Sequence, residues 1–167
     1  MNEIYFAGGC FWGTQHYLKQ IRGVVATAVG YANGTTPNPT YEEVYSDLTG
    51  YVECVRVEYD PAAITLRRLV ELYFASIDPT LLNRQGNDVG TRYRTGIYHT
   101  REEDRATIAE VYLAEQTKYE SELTTEVEPL RCFVAAEAYH QDYLEKNPAG
   151  YCHLPAALFK FAREANK

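Results

Sequence analysis

The run YVECVRVEY, from residue 51 to residue 59, is typical of a β-strand and constrains the fold of this chain most strongly. Side chains alternate between the two faces of a strand, so the odd-numbered residues of 51–59 share one face. The pair Asp60-Pro61 ends this strand, and Thr65 is the predicted N-cap of an amphipathic helix. The apolar side of that helix has the i, i+3, i+4, i+7 spacing and consists of Leu66, Leu69, Val70 and Tyr73.

Other periodic segments place this strand and helix in a longer alternation. Further strands are predicted at 3–7, 24–31, 94–99 and 131–135, and further helices at 11–21, 139–146 and 155–165. Thr100 and Glu103 predict a capping box for a long helix that runs to about residue 123, and 78–92 is a predicted polar loop. The order is roughly β-α-β-β-α-β-α-β. It predicts an α+β fold, a two-layer sandwich with a ferredoxin-like (split βαβ) core, a mixed sheet and long loops.

Length, charge and hydropathy narrow the class of protein. The 167 residues suit one buried core, so we expect a single domain over 1–167. A net charge of −7 argues against nucleic-acid binding and against a basic membrane anchor. The apolar stretches are too short for a membrane span, and the opening MNEIYFAGG has no features of a secretion signal. We therefore expect a cytoplasmic protein, with a monomer as the default state.

The four cysteines lie at positions 10, 54, 132 and 152, with no CxxC pair among them. In a reducing compartment, such scattered cysteines favour a catalytic or incidental role over a disulfide framework. The spacing also disfavours a zinc site. We expect neither a metal nor a bound cofactor.

The run GGCFWG, residues 8–13, places one of these cysteines at the start of a predicted helix. Unpaired N–H groups and the positive end of the helix dipole stabilise a thiolate there, so we expect a lowered pKa for Cys10. The two glycines before it let the backbone approach a substrate closely. The alternative is a buried structural cysteine, with Phe11 and Trp12 as ordinary core residues.

The run GCFWG resembles the active-site signature of the peptide methionine-(S)-sulfoxide reductase family, the A-type methionine sulfoxide reductases. Six further blocks resemble that family in the same order and at matching separations: GYANG (30–34), NPTYEEV (38–44), LTGYVECVRVEYDP (48–61), LNRQGNDVGTRYR (82–94), AEAYHQDYL (136–144) and KNPAGYC (146–152). The resemblance implies an enzyme that reduces methionine sulfoxide, protein-bound or free, to methionine. Two positions depart from the family: Gln15 replaces the usual Glu, and no recycling cysteine follows Cys152.

The resemblance implies roles for five residues around the reacting atoms. Cys10 is the nucleophile that attacks the sulfoxide sulfur, and Glu53 is the acid that protonates the sulfoxide oxygen. The position of Glu53 on the apolar face of its strand agrees with this, because burial raises the pKa of a carboxyl group. The alternative is an exposed carboxylate in a different strand register. Tyr41 and Tyr93 match positions whose hydroxyls donate to that oxygen, and Asp88 matches one that organises polar groups, or else only forms an Asx turn.

Aromatic residues would complete the substrate site. Phe11 and Trp12 form an expected apolar slot for the S-methyl group of the substrate, and Tyr143 and Tyr151 are expected to line it. The preference for the S epimer is implied by the resemblance alone.

The resemblance also implies a second cysteine in the cycle. The sulfenic acid formed on Cys10 condenses with another thiol to a disulfide, and the resolving thiol is expected to be Cys152. The breaker-rich stretch 148–150 gives the tail the freedom to reach Cys10. A thioredoxin then reduces the disulfide. Cys54 and Cys132 are predicted to be packing residues.

Two other classes of protein stay open on the residues alone. Cys10 with His140 as base would make an acyl-transfer enzyme, which needs an imidazole near the thiol and gives Cys152 no redox role. A non-enzymatic α+β interaction module would instead use the pair Phe11-Trp12 to bind a partner. Outside the acyl-transfer hypothesis, His140 is predicted to be a structural histidine.

Overall fold

The computed structural model describes residues 1–166, whose strands form a six-stranded mixed sheet and a small hairpin. The strands are β1 (Asn2–Gly8), β2 (Val24–Ala32), β3 (Val52–Tyr59), β4 (Arg84–Gln85), β5 (Asp88–Val89), β6 (Thr95–His99), β7 (Glu126–Pro129) and β8 (Phe133–Ala135). The sheet order is β7-β6-β1-β3-β2-β8, and β4 pairs only with β5. All neighbours are antiparallel except β6 and β7, which are parallel.

Six α-helices accompany the sheet in the described residues. They are α1 (Phe11–Lys19), α2 (Tyr41–Tyr45), α3 (Leu66–Ala75), α4 (Glu102–Gln116), α5 (Tyr143–Lys146) and α6 (Ala156–Ala165). Helix α1 packs on β2 and β3, and α3 packs on α4. Their apolar faces and one face of the sheet bury a common core that includes Phe6, Leu18, Val55 and Leu69. The protein therefore has an α+β fold with a mixed sheet, and no helix within 1–166 combines the length and apolarity needed to cross a membrane.

The run YVECVRVEY behaves as its pattern predicts. Strand β3 lies at the centre of the sheet, where Phe6 of β1 pairs with Val55 and Tyr31 of β2 pairs with Glu53. The next helix begins as expected, because the hydroxyl of Thr65 accepts a hydrogen bond from the backbone N–H of Arg68 at 3.1 Å. Strand β3 and helix α3 therefore determine which face of the sheet carries Glu53.

The predicted capping box of the long helix is wrong. Helix α4 begins at Glu102, one residue later than a Thr100 cap requires, and Arg101 occupies the N-cap position without a side-chain cap. The acidic side chains of its first turn stabilise the helix N-terminus instead. The helix also ends at Gln116 rather than near residue 123. The Gln116 amide bonds to the backbone of Ser121 and Leu123, which holds the chain in a turn away from the helix axis.

Short elements account for the other differences from the predicted boundaries. The loop 78–92 contains the hairpin β4-β5 and the start of a 3₁₀ turn, Thr91–Tyr93. The predicted helix 139–146 is divided into a 3₁₀ turn, Ala138–His140, and α5, because Asp142 has a positive φ of 51°. Strand β7 was not predicted; its four residues are too few for a periodic signal.

Candidate active site

Cys10 lies at the junction between β1 and α1, where the chain reverses sharply. Gly9 has a φ of +86°, and a Cβ there would approach the Cβ of Gln85 to 2.7 Å, so glycine is required. Cys10 itself is the N-cap residue of α1, as expected, with non-helical angles of −58° and 123°. Only 7% of the residue is exposed. The sulfur is thus largely buried at the positive end of the helix.

The expected lowering of the Cys10 pKa is wrong for the free enzyme. Burial raises the pKa of the thiol well above its usual value, and the charges of Glu53 and Asp88 act in the same direction. The backbone N–H groups of Trp12 and Gly13 favour the thiolate but do not compensate for the lost hydration. Cys10 is therefore a thiol at neutral pH.

Glu53 reaches the same helix terminus from β3. Its Oε1 accepts a hydrogen bond from the backbone N–H of Phe11 at 3.1 Å, so the carboxyl group caps α1 directly after Cys10. Glu53 is 2% exposed, and burial raises its pKa to about 8 despite that hydrogen bond and the charge of Arg92. The carboxyl group is consequently protonated at neutral pH, as its place on the apolar face predicted.

Tyr41 and Tyr93 lie within electrostatic reach of both Cys10 and Glu53. Burial raises the pKa of Tyr41 to about 12, with further contributions from the charges of Glu53 and Cys10. Burial likewise raises the pKa of Tyr93, and the same two groups contribute. Both phenols therefore remain neutral hydrogen-bond donors. The structure brings these four candidate residues together.

Arg92 is a residue of this site that the sequence analysis missed. Its guanidinium lies 4.0 Å from the ring centre of Tyr45 and 4.3 Å from that of Tyr93, and it forms an ion pair with Asp47. These contacts hold Tyr93 in place and put a buried positive charge near Glu53. The block GTRYR contains Arg92, but no local pattern distinguishes it from a surface arginine.

Asp88 connects the β4-β5 hairpin to the C-terminal tail. Its Oδ2 accepts a hydrogen bond from the hydroxyl of Tyr151 at 2.9 Å, and its charge acts on the pKa values of Cys10 and Cys152. Tyr151 is 45% exposed, so it lies at the rim of the site rather than inside it. The structure thus gives Asp88 a contact with the tail beyond a simple Asx turn.

Trp12 is held between two aromatic residues of the segment 136–144. Its indole stacks on Tyr143, with ring centres 3.8 Å apart and planes 10° from parallel. The indole Nε1 donates a hydrogen bond to Nδ1 of His140 at 3.0 Å. Phe11 differs from Trp12, because it is fully buried against Tyr31 and His140. Trp12 and Tyr143 are therefore the accessible part of the aromatic group, and Phe11 supports it from below.

We expect His140→Leu to loosen Trp12, because the indole N–H then loses its acceptor. The cost of an unmade, partly buried hydrogen bond is about 1–2 kcal/mol, which predicts a free energy of unfolding lower by about that amount. Trp12 is the single tryptophan of the chain, so its fluorescence maximum reports the change directly. His140→Asn retains an acceptor and should shift both readings less. Unchanged fluorescence in His140→Leu would show that His140 does not orient Trp12.

Cys152 lies against the first turn of α1. A Cβ built on Gly13 would approach its Sγ to 3.0 Å, and Gly13 is three residues after Cys10, on the same helix face. Cys152 also lines a cavity of about 310 Å³ with His16, Leu144 and Phe159 among its walls. The tail therefore returns Cys152 to the end of α1 that carries Cys10.

Gln15 and the two remaining cysteines have structural contacts. Gln15 is buried, donates to Thr27 Oγ1 at 3.1 Å and accepts from the backbone N–H of Asp142 at 2.9 Å, so it joins α1 to β2 and to the start of α5. Cys54 is fully buried on the opposite face of β3 from Glu53. Cys132 is half-buried beside Gly34. All of these agree with the packing roles expected for them.

Comparisons with known proteins identify the family of the chain. The family model described as peptide methionine sulfoxide reductase matches residues 2–167. The peptide methionine sulfoxide reductase MsrA of Clostridium acetobutylicum is 54% identical over 160 residues, which are 96% of this chain and 99% of the relative. The structure of reduced Mxr1 from Saccharomyces cerevisiae has a TM-score of 0.86 at 39% identity, covering 90% of this chain and 87% of that one. Mxr1 in complex with Trx2 has a TM-score of 0.61 at 29% identity, covering 84% of this chain and 83% of that one. From the full-length family match and these similarities, we conclude that the chain belongs to the peptide methionine sulfoxide reductase family.

Proposed function

We propose that this peptide methionine sulfoxide reductase acts through Cys10, whose sulfur attacks the sulfur atom of a methionine-(S)-sulfoxide. The single observation that carries the assignment is the meeting of a thiol and a buried carboxyl group at one helix terminus. Cys10 occupies the N-cap, and Glu53 accepts the N–H of the very next residue. A nucleophile and an acid are thereby held side by side for one substrate group.

Glu53 supplies the proton that activates the sulfoxide. Its pKa of about 8 keeps that proton available at neutral pH, and transfer to the sulfoxide oxygen makes the substrate sulfur electrophilic. Tyr41 and Tyr93 donate hydrogen bonds to the same oxygen as charge develops on it. Cys10 loses its thiol proton as it attacks, and Glu53 recovers a proton. The attack forms a bond between the sulfur of Cys10 and the sulfur of the substrate. That bond and the sulfur–oxygen bond of the substrate then break as the hydroxyl group passes to Cys10, which becomes a sulfenic acid, and the methionine thioether leaves.

The aromatic group recognises the rest of the substrate. Trp12, stacked on Tyr143 and supported by Phe11, offers an apolar wall for the S-methyl group, while the oxygen faces Glu53 and the two tyrosines. One apolar wall and one set of oxygen donors distinguish the two epimers at sulfur. Substrates would be methionine sulfoxide residues of oxidised proteins, together with the free amino acid, as in protein repair after oxidative stress.

Cys152 is the resolving cysteine in this proposal. Its thiol attacks the sulfenic sulfur of Cys10, a sulfur–sulfur bond forms, the sulfur–oxygen bond breaks and water leaves. A thioredoxin then reduces the disulfide, which the solved complex of the relative Mxr1 with Trx2 supports. The cycle needs a compartment that keeps such reductants reduced, and we accordingly propose the cytoplasm.

Three smaller proposals concern the topology of the core, the number of domains, and the oligomeric state with its binding partners. The central order β6-β1-β3-β2, antiparallel throughout and with α1 and α3 as its crossovers, supports a ferredoxin-like (split βαβ) core. The core shared by the sheet and its helices supports a single domain over 1–167. We also propose a monomer that binds neither nucleic acid nor membranes, consistent with the net charge of −7.

The test is the Cys10→Ser variant with a methionine-(S)-sulfoxide peptide and dithiothreitol. We expect no methionine from this variant, because a serine hydroxyl is a poor nucleophile at neutral pH, and normal formation of methionine by the wild type. Mass spectrometry of substrate-treated wild type without reductant should detect a Cys10–Cys152 disulfide. Acyl transfer through His140 predicts neither product, and a binding module predicts full function for Cys10→Ser. Methionine formation by Cys10→Ser would reject the proposed nucleophile.

A further inference from the structure

His153, the residue after Cys152, occupies a close-fitting site made of glycine backbone. A Cβ at Gly9 would lie 3.2 Å from its Nε2, a Cβ at Gly13 would lie 2.9 Å from its Nδ1, and a Cβ at Gly86 would lie 3.7 Å from its Cβ. We call these three residues, with the carbonyl of Gly8, the glycine socket. A side chain at Gly13 would collide with the imidazole and one at Gly9 would press tightly against it, so the socket and His153 fit each other.

One hydrogen bond fixes the imidazole within the socket. Nε2 of His153 lies 3.0 Å from the carbonyl oxygen of Gly8, and since a carbonyl only accepts, Nε2 carries the proton. The other nitrogen, Nδ1, is buried and has no partner within residues 1–166. Burial lowers the pKa of His153, so the ring is neutral at neutral pH. The bond joins the tail to the last residue of β1, two positions before Cys10.

The socket also determines where Cys152 lies. A Cβ built on Gly13 would lie 2.9 Å from Nδ1 of His153 and 3.0 Å from Sγ of Cys152, so both side chains pack against Gly13. On the other side of Cys152, the Tyr151 hydroxyl binds Asp88 at 2.9 Å. Between the end of α5 at Lys146 and the start of α6 at Ala156, the tail has no regular structure. Within the tail itself, the backbone N–H of Leu154 donates a hydrogen bond to the thiol at 3.4 Å. His153 is the anchor nearest to Cys152 on the side of β1 and α1.

We propose that His153 is a positioning residue for the resolving step: it locks Cys152 over the first turn of α1 through its hydrogen bond to Gly8. This proposal rests on the proposed role of Cys152. A thiol on a flexible tail spends most of its time away from the sulfenic acid, whereas a fixed thiol has a high effective concentration there. His153 touches neither the substrate nor Cys10 in this scheme, so reduction of the sulfoxide should not depend on it.

The experiment separates the two steps of a single turnover. Wild type, His153→Leu and His153→Gln are mixed with one equivalent of sulfoxide peptide without reductant, and methionine release and disulfide formation are followed by quenching and mass spectrometry. We expect methionine release at the wild-type rate in all three. Disulfide formation should slow about tenfold in His153→Leu, which keeps the bulk but lacks the donor, and His153→Gln should recover much of the rate through its amide N–H.

Two controls protect the result from a general defect of folding. The midpoint of unfolding in urea should be the same for wild type, His153→Leu and His153→Gln, because the substitutions act on the tail and not on the core. Cys152→Ser should form no disulfide; a persistent one would overturn the role of Cys152 itself. Wild-type disulfide kinetics in His153→Leu would overturn the positioning role alone. The positioning role would also be overturned if both steps slowed equally in His153→Leu, or if His153→Gln formed the disulfide as slowly as His153→Leu.

Discussion

Glu53→Gln is expected to lower the rate of methionine formation by about a hundredfold or more, the usual contribution of a general acid. Glutamine can still accept the N–H of Phe11, so α1 keeps its cap, but its amide has no proton to transfer to the sulfoxide oxygen. Single-turnover release of methionine is the proper measurement, because it excludes the later thiol steps. Near-normal release would remove Glu53 from the mechanism.

The same substitution should make the protein more stable, and increasingly so as the pH rises. Glu53 has an ordinary pKa of 4.5 when unfolded and about 8 when folded, so between these values only the unfolded state has lost the proton. Wild-type stability therefore falls as pH rises from 4.5 to about 8, while below 4.5 the group contributes no difference. Glutamine lacks this penalty.

Chemical denaturation of the two proteins at pH 5, 6.5 and 8 measures this difference. The free energy of unfolding of Glu53→Gln should exceed that of the wild type by a margin that grows with pH. Gln15 offers a control, because it is buried beside the site but does not titrate. Gln15→Leu should lose its hydrogen bonds and some stability equally at all three pH values. A margin for Glu53→Gln that is independent of pH would mean that Glu53 is ionised in the folded protein.

Local patterns predicted the positions of Cys10 and Glu53 but not their connection. The period of two along β3 assigned Glu53 to the apolar face, and the strand-to-helix transition placed Cys10 at the start of α1. The hydrogen bond from Phe11 to Glu53 joins residues 42 positions apart, and depends on how α1 packs over β3. Long-range packing of that kind leaves no trace in a local pattern.

The pKa of Cys10 shows why the direction of an electrostatic effect also needs the fold. From the sequence, only the helix terminus could be considered, and it favours the thiolate. In the folded protein, the loss of water around the sulfur is larger, and the neighbouring carboxyl groups oppose a second negative charge. A depth of burial is a property of the whole core, so it could not be read from GGCFWG. In the proposed mechanism, the thiol therefore ionises only as the substrate accepts a proton.

Cys152→Ser is expected to reduce sulfoxide once and then stop when thioredoxin is the reductant. Cys10 is unchanged in this variant, so one equivalent of methionine should appear at the wild-type rate. The sulfenic acid then has no nearby thiol to condense with, and thioredoxin-dependent turnover should fall by about a hundredfold or more, since the lost reaction is intramolecular. A dimedone adduct on Cys10, counted by mass spectrometry, measures the trapped intermediate.

Cys132→Ser is the matched control for this experiment. Like Cys152, Cys132 is a half-buried free cysteine, but it lies beside Gly34, whereas Cys152 lies against α1. The Cys132→Ser variant should turn over normally with thioredoxin and give no lasting dimedone adduct. The contrast follows from position, since Cys152 lies against the first turn of α1 and also lines a cavity. If Cys152→Ser turned over with thioredoxin as fast as Cys132→Ser, the reductant would have to act on Cys10 directly, and the tail would have no part in the cycle.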